Sequence, residues 1–162
     1  MNADEKEYFS KIYERCSDDV YRLCLLIMKN KADAEEAVSD TFIRLMENRP
    51  VFENTEHEKA WLLKTSSNIC KNMHKSSWRK CVVCDDDVLK YMKSDEQISI
   101  MEDVLALPSK YREIIYLHYF QGYKAYEIAQ MTGLKESTVL SRLRRGRMRL
   151  KDILIEGGFS YA

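Results

Sequence analysis

The stretch Ala125-Tyr126-Glu127-Ile128-Ala129-Gln130-Met131-Thr132-Gly133-Leu134-Lys135-Glu136-Ser137-Thr138-Val139-Leu140-Ser141-Arg142-Leu143-Arg144-Arg145-Gly146-Arg147 decides the fold. Apolar residues recur at three-four spacing on both sides of Gly133, which predicts a helix over Ala125 to Met131 and a second running to about Leu150. Gly133 sits at the joint, where a positive φ without a Cβ penalty is needed, and the pattern is that of a helix-turn-helix. In the second helix Val139, Leu143, Gly146 and Leu150 share one face and are expected to pack on Ile128 and Ala129. Projection at 100° per residue places Ser137, Ser141, Arg144 and Arg145 opposite, with Leu140 at the edge. That small, polar, cationic face suits a helix lying in the major groove of DNA. Arg144 and Arg145 are placed to donate to guanine edges; Lys135, Arg142, Arg147 and Arg149 lie to the sides, where phosphates are the expected partners.

Outward from this core the chain reads as helix throughout. All five glycines lie in the last quarter, and Pro50 and Pro108 are the only strong breakers among the first 121 residues. Helices are predicted over about Glu5–Cys16, Asp18–Met28, Asp33–Glu47, Glu56–Lys75, Ile100–Leu107 and Ser109–Gln121, the last closed by Gly122. The third has an apolar stripe of Ala34, Ala37, Val38, Thr41, Phe42 and Leu45. Its acids Asp33, Glu35 and Glu36 oppose the positive end of the helix dipole. Trp61 reads as core within the fourth. Between about Ser76 and Gln97 periodicity fades and charges cluster, as in a linker with at most a short helix near Val88–Met92. The expected architecture is all-α, with two small helical domains over 1–80 and 98–162 joined by 81–97.

Formal net charge is zero over 162 residues, so only its distribution is informative. From Trp61 to Lys80 there is no acid, only Lys64, Lys71, Lys75, Arg79 and Lys80; from Lys135 to Lys151 seven bases face the single acid Glu136. Two such segments in a neutral chain can form local phosphate-binding patches. No apolar run approaches the ~20 residues of a membrane span, and the polar first residues are unlike a signal peptide, so a cytoplasmic protein with reduced cysteines is expected.

Leu107-Pro108, Arg112-Glu113, Tyr126-Glu127-Ile128-Ala129, Gly133, Thr138-Val139, Ser141-Arg142-Leu143 and Arg145-Gly146-Arg147 together resemble region 4, the promoter-binding domain of extracytoplasmic-function (ECF) sigma factors. Asp33-Ala34-Glu35-Glu36-Ala37-Val38-Ser39-Asp40-Thr41-Phe42 and Trp61-Leu62-Leu63 followed by Asn68 resemble region 2 of the same family. The resemblance implies a sigma factor, not an enzyme and without cofactor or metal, that brings bacterial RNA polymerase to promoters and assists melting. It implies core docking on the β′ subunit through Glu35, Glu36, Ser39, Asp40 and Arg44, and contact of the C-terminal domain with the β flap. It also implies downstream-element binding by Lys64, Asn68, Lys71, Asn72, Lys75, Trp78 and Arg79, and upstream-element binding by Lys135, Ser137, Thr138, Leu140, Ser141, Arg142, Arg144, Arg145 and Arg149. An anti-sigma protein is a possible further partner, and the free chain is expected to be a monomer. The alternative is a stand-alone helix-turn-helix regulator that does not join polymerase.

The chain departs from the family pattern at Ser67, Asn72 and Lys75, which replace Arg, Asp and Arg, and at Lys135, which replaces a Ser-type cap. Gly146 replaces a usual alanine, at up to ~1 kcal/mol in a helix interior. Cys81 and Cys84, with His74 upstream, supply three candidate ligands where zinc normally takes four, so reduced cysteines are the favoured reading. Cys16, Cys24 and Cys70 fall on apolar helix positions, and Tyr111, Tyr116, Tyr119 and Phe120 read as support for the DNA-binding domain.

Overall fold

A computed structural model describes residues 1–75 and 95–157, with 95–99 as backbone alone. The chain divides into two compact units, Met1–Asp85 and Asp86–Ala162. Among the described residues every regular element is helical: α1 (Ala3–Met28), α2 (Lys31–Asn48), α3 (Thr55–Lys75), α4 (Asp95–Leu105), α5 (Ser109–Ile115), a π-helical turn (Tyr116–Phe120), α6 (Ala125–Thr132) and α7 (Glu136–Glu156). Trp78, Arg79, Lys80, Cys81, Cys84 and the segment Val88–Met92 lie outside the described residues.

The first unit packs α1, α2 and α3 against one another. A capping box starts α1, with the Asn2 side chain accepting from the Glu5 amide (2.8 Å) and the Glu5 carboxylate from the Asn2 amide (3.1 Å). The expected break near Ser17 is absent, and α1 is one helix of 26 residues. Ser17-Asp18-Asp19 holds no Gly or Pro, and the buried series Ile12, Cys16, Val20, Leu23, Ile27 keeps its spacing across it. Lys29 ends α1 in the left-handed region (φ 50°), and Asn30 immediately caps α2 through Asp33 N (2.9 Å). Ala34, Ala37, Val38, Thr41, Phe42 and Leu45 are all buried; the Thr41 hydroxyl donates to the Ala37 carbonyl (2.7 Å), so no polar atom is stranded there. Leu23, Leu26, Leu62 and Leu63 are fully buried, each contributing ~1.5–3 kcal/mol relative to exposure. Trp61, read as core, is half-buried with its ring edge-on to Phe52.

One charged group enters this core. Glu58 on α3 is 4% exposed and accepts from Arg15 Nη2 (2.8 Å) and Nε (3.3 Å) on α1. Burial, and then the neighbouring Glu58 carboxylate, push the Cys16 thiol up to about 11, so it stays protonated and unreactive near neutral pH. Cys24 and Cys70 are buried, as their apolar positions imply.

In the second unit α5 and α6 pack on α7. Pro108 caps α5 with extended backbone (φ −55°, ψ 147°), and the buried Arg112 donates back to the Leu107 carbonyl (2.9 Å). The helix expected to run to Gln121 instead widens into the π turn, which leaves Tyr116 buried but Tyr119 and Phe120 exposed. Tyr111 and Tyr116 support the unit from its core, Phe120 stacks on Tyr116 with ring centres 5.7 Å apart, and Tyr119 lies at the surface. Gly133 closes α6 at φ 75°, with its amide bonded to the Ala129 carbonyl (3.0 Å). α7 then continues to Glu156, well past the expected Leu150.

Candidate nucleic-acid interface

α7 is attached to its unit by little of its surface. Of its 21 residues only Val139, Leu143 and Gly146 are buried, and Leu150 is half-buried. Gly146 is a packing residue rather than a mere loss of helix propensity. A β-carbon there would stand 3.1 Å from Cδ1 and Cγ1 of Ile115 and 3.4 Å from Tyr111 Cβ, so the missing side chain lets α7 approach α5 closely.

The remainder of α7 is open, and its cations fall on three sectors. Ser137, Leu140, Arg144 and Arg145 are exposed and Ser141 is half-buried, leaving a polar, cationic strip. On one side Ser137, Ser141 and Arg145 of that strip join Thr138 and Arg142 in bordering a groove of about 360 Å³ whose far wall is Lys110 and Tyr111 of α5. Arg149 belongs to that side too, but its guanidinium lies 5.4 Å from the centre of the Tyr111 ring, and Lys110 Nζ lies 5.1 Å from the same ring. On the other flank Arg147 donates to the Tyr119 hydroxyl (3.2 Å), tying α7 to the π turn. Lys135 is the extended residue before α7, with φ −68° and ψ 145°, and is exposed. Lys110 was not legible as a site residue, because only the tertiary fold brings it opposite α7.

On α3, Lys64, Asn68, Asn72 and Lys75 are exposed and Lys71 is half-buried, so the expected residues occupy one outward edge. Ser67, one of the departures, is 1% exposed and belongs to the core; no base could reach it. His74, on the same helix, donates through Nε2 to the Ile27 carbonyl at the end of α1 (3.0 Å). It fastens the ends of two helices. On α2, Glu35, Glu36, Ser39 and Arg44 are exposed and Asp40 is half-buried, with Ile43 standing 45% exposed among them. An apolar residue inside a charged strip is a signal the sequence carried and the charge pattern concealed.

Among the described residues no group of three His, Cys, Asp or Glu side chains is placed to hold a metal ion, and no helix is long and apolar enough to cross a membrane.

Two family models match, Sigma-70 region 2 over residues 12–80 and Sigma-70, region 4 over residues 99–150. The chain is similar to the ECF RNA polymerase sigma factor SigW of Bacillus subtilis (strain 168), 24% identical across 95% of this chain and 92% of that protein. It is similar also to the ECF RNA polymerase sigma factor SigM of the same organism, 26% identical across 91% and 95%. A solved co-crystal structure of the sigma factor RpoE in complex with the anti-sigma factor NepR from Bartonella quintana shares the fold, with a TM-score of 0.68 at 21% identity over 94% of this chain and 98% of that one.

Proposed function

The chain belongs to the sigma-70 family, as a sigma factor of the extracytoplasmic-function type that directs RNA polymerase to promoters, and on that premise we propose a division of labour between its two units. The segment 1–80 docks on core polymerase through the outward strip of α2, with Glu35, Glu36, Ser39, Asp40 and Arg44 meeting a charged surface of β′ and Ile43 supplying apolar contact. The outward edge of α3 then holds the downstream element. Lys64, Lys71 and Lys75 take phosphates and Asn68 and Asn72 take base edges, joined by Trp78 and Arg79 further along the chain. Opening base pairs costs ~1–2 kcal/mol per step. Capturing exposed bases at ~1–3 kcal/mol each offsets that cost, so melting is assisted without nucleotide hydrolysis by this chain. The segment 98–162 places the start of α7 in the major groove of the upstream element, Arg144 and Arg145 reading bases, and touches the β flap; 81–97 joins the two. The protein works in the cytoplasm, is monomeric when free, and is open to control by an anti-sigma protein.

The reading is supported above all by the occurrence of both family regions, in order, in one short chain whose α7 carries an open cationic strip. Run-off transcription with sigma-free core polymerase tests it, on promoters recovered by sequencing DNA bound by the reconstituted holoenzyme. The expected result is defined start sites. Arg144→Ala or Arg145→Ala should weaken promoter binding by ~1–3 kcal/mol and relax specificity. A chain that binds duplex DNA but neither core polymerase nor a start site would be a stand-alone regulator, and this reading would fall.

A further inference from the structure

From the groove beside α7 we infer that Lys110, a residue of α5 outside the helix-turn-helix, is a DNA-phosphate contact that sets how α7 sits in the duplex. The inference rests on the promoter-binding reading of α7 and adds a second element to it. Lys110 is exposed and lines the wall of the groove opposite Thr138, Ser141, Arg142 and Arg145, across a gap of about 360 Å³. The groove gathers three cationic side chains, Lys110, Arg142 and Arg145, beside the buried Tyr111, and Arg149 stands 5.4 Å from the centre of the same ring at the border of a second pocket that also holds Asp152 and Glu156.

Among the described residues none of Lys110, Arg142, Arg145 and Arg149 stands in an ion pair. The first unit treats its central cations differently. Arg15, Arg22 and Lys59 there are matched to Glu58 and Asp19. Three like charges lining one groove without a carboxylate among them repel one another, and an anion is what relieves that repulsion. A phosphate backbone running along the flank of α7 meets this requirement. It would be gripped from α7 by Arg142 and from α5 by Lys110, while the outer strip with Arg144 faces the bases. A contact from a separate helix also fixes the rotation of α7 about its own axis, which contacts along α7 alone leave loose.

The test uses the reconstituted holoenzyme and two duplexes, one carrying the upstream element recovered from holoenzyme-bound fragments and one with that element scrambled, each titrated over a range of salt concentrations. Lys110→Gln is expected to weaken binding to both duplexes by the same factor, about three- to tenfold at moderate salt, and to lower the slope of log K against log salt by about one. Lys110→Arg should restore both. A loss of affinity with the slope unchanged would make Lys110 a structural residue. A loss confined to the matched duplex would make it a base reader, and no loss at all would leave the groove without a role; each of these overturns the inference. If the wild-type holoenzyme itself does not prefer the matched duplex, the promoter-binding reading has failed instead. A wild-type preference that Arg144→Ala reduces, beside a silent Lys110→Gln, isolates the failure to Lys110.

Discussion

α3 and α7 are both 21 residues long, and each carries one of the two proposed nucleic-acid surfaces, yet they are built in opposite ways. α3 buries eight side chains, including Glu58, Ser66 and Ser67, and keeps only an outer edge for a ligand. α7 buries two, Val139 and Leu143, beside the buried backbone of Gly146, and leaves most of its circumference open. The same length of helix can be a wall of the core with a thin functional margin, or a rod clipped on by one short seam. A base-reading residue on α3 is therefore limited to positions that packing leaves over, whereas α7 can place cations on every side but one. The unpaired arginines of α7 and the paired Arg15 and Lys59 of the first unit follow the same division.

The contrast can be broken by substitution. Leu62 is 0% exposed in the middle of α3, and Leu62→Ala should cost ~2–5 kcal/mol of stability, measured by urea unfolding followed by circular dichroism. A cost below ~1 kcal/mol would mean that α3 is held no more deeply than α7. Arg15→Ala should cost less, ~1–3 kcal/mol, because it leaves the buried Glu58 carboxylate without its guanidinium. Adding Glu58→Gln to that variant should recover part of the loss in the same assay, since a neutral amide is cheaper to bury. No recovery would show that the clasp acts through packing alone. The smallest effect is expected at the seam of α7. Gly146→Ala gains up to ~1 kcal/mol of helix propensity and loses a comparable amount to the 3.1 Å approach of Ile115, for a net change within about 1 kcal/mol. Combining it with Ile115→Val, which withdraws a methyl group from that contact, should move the balance toward stability. If Gly146→Ala stays equally costly in both backgrounds, Ile115 is not what the glycine accommodates.

Much of this organisation was legible in the residues. The stripe from Ala34 to Leu45 is buried position for position, Gly133 has the left-handed φ its place demanded, and Val139, Leu143 and Gly146 form the buried seam. These features depend on neighbours three or four positions away, within reach of a periodic pattern. What escaped depends on distance along the chain or on equal local alternatives. The acidic cluster at Ser17-Asp18-Asp19 resembles a break unless the series on the buried face is followed through it. His74 meets a carbonyl 47 residues away, and Lys110 meets its groove across about thirty residues of sequence. Nothing in Tyr116–Phe120 distinguishes an i→i+5 bond from an i→i+4 bond before the helix is packed.

That π turn makes the number of residues, and not only their identity, part of how α7 is held. It houses roughly one residue more than an α-helix of the same height. Deleting a single residue between Ile115 and Gln121 would restore regular winding with the chain beyond the turn close to its present direction, and would shift only the side chains within the turn. Tyr119 would then swing out of reach of Arg147, and the outer flank of α7 would lose its tether without any change to α7 itself. Insertion and deletion at this one place thus act on the tether of α7, while the direction of the chain that follows is kept.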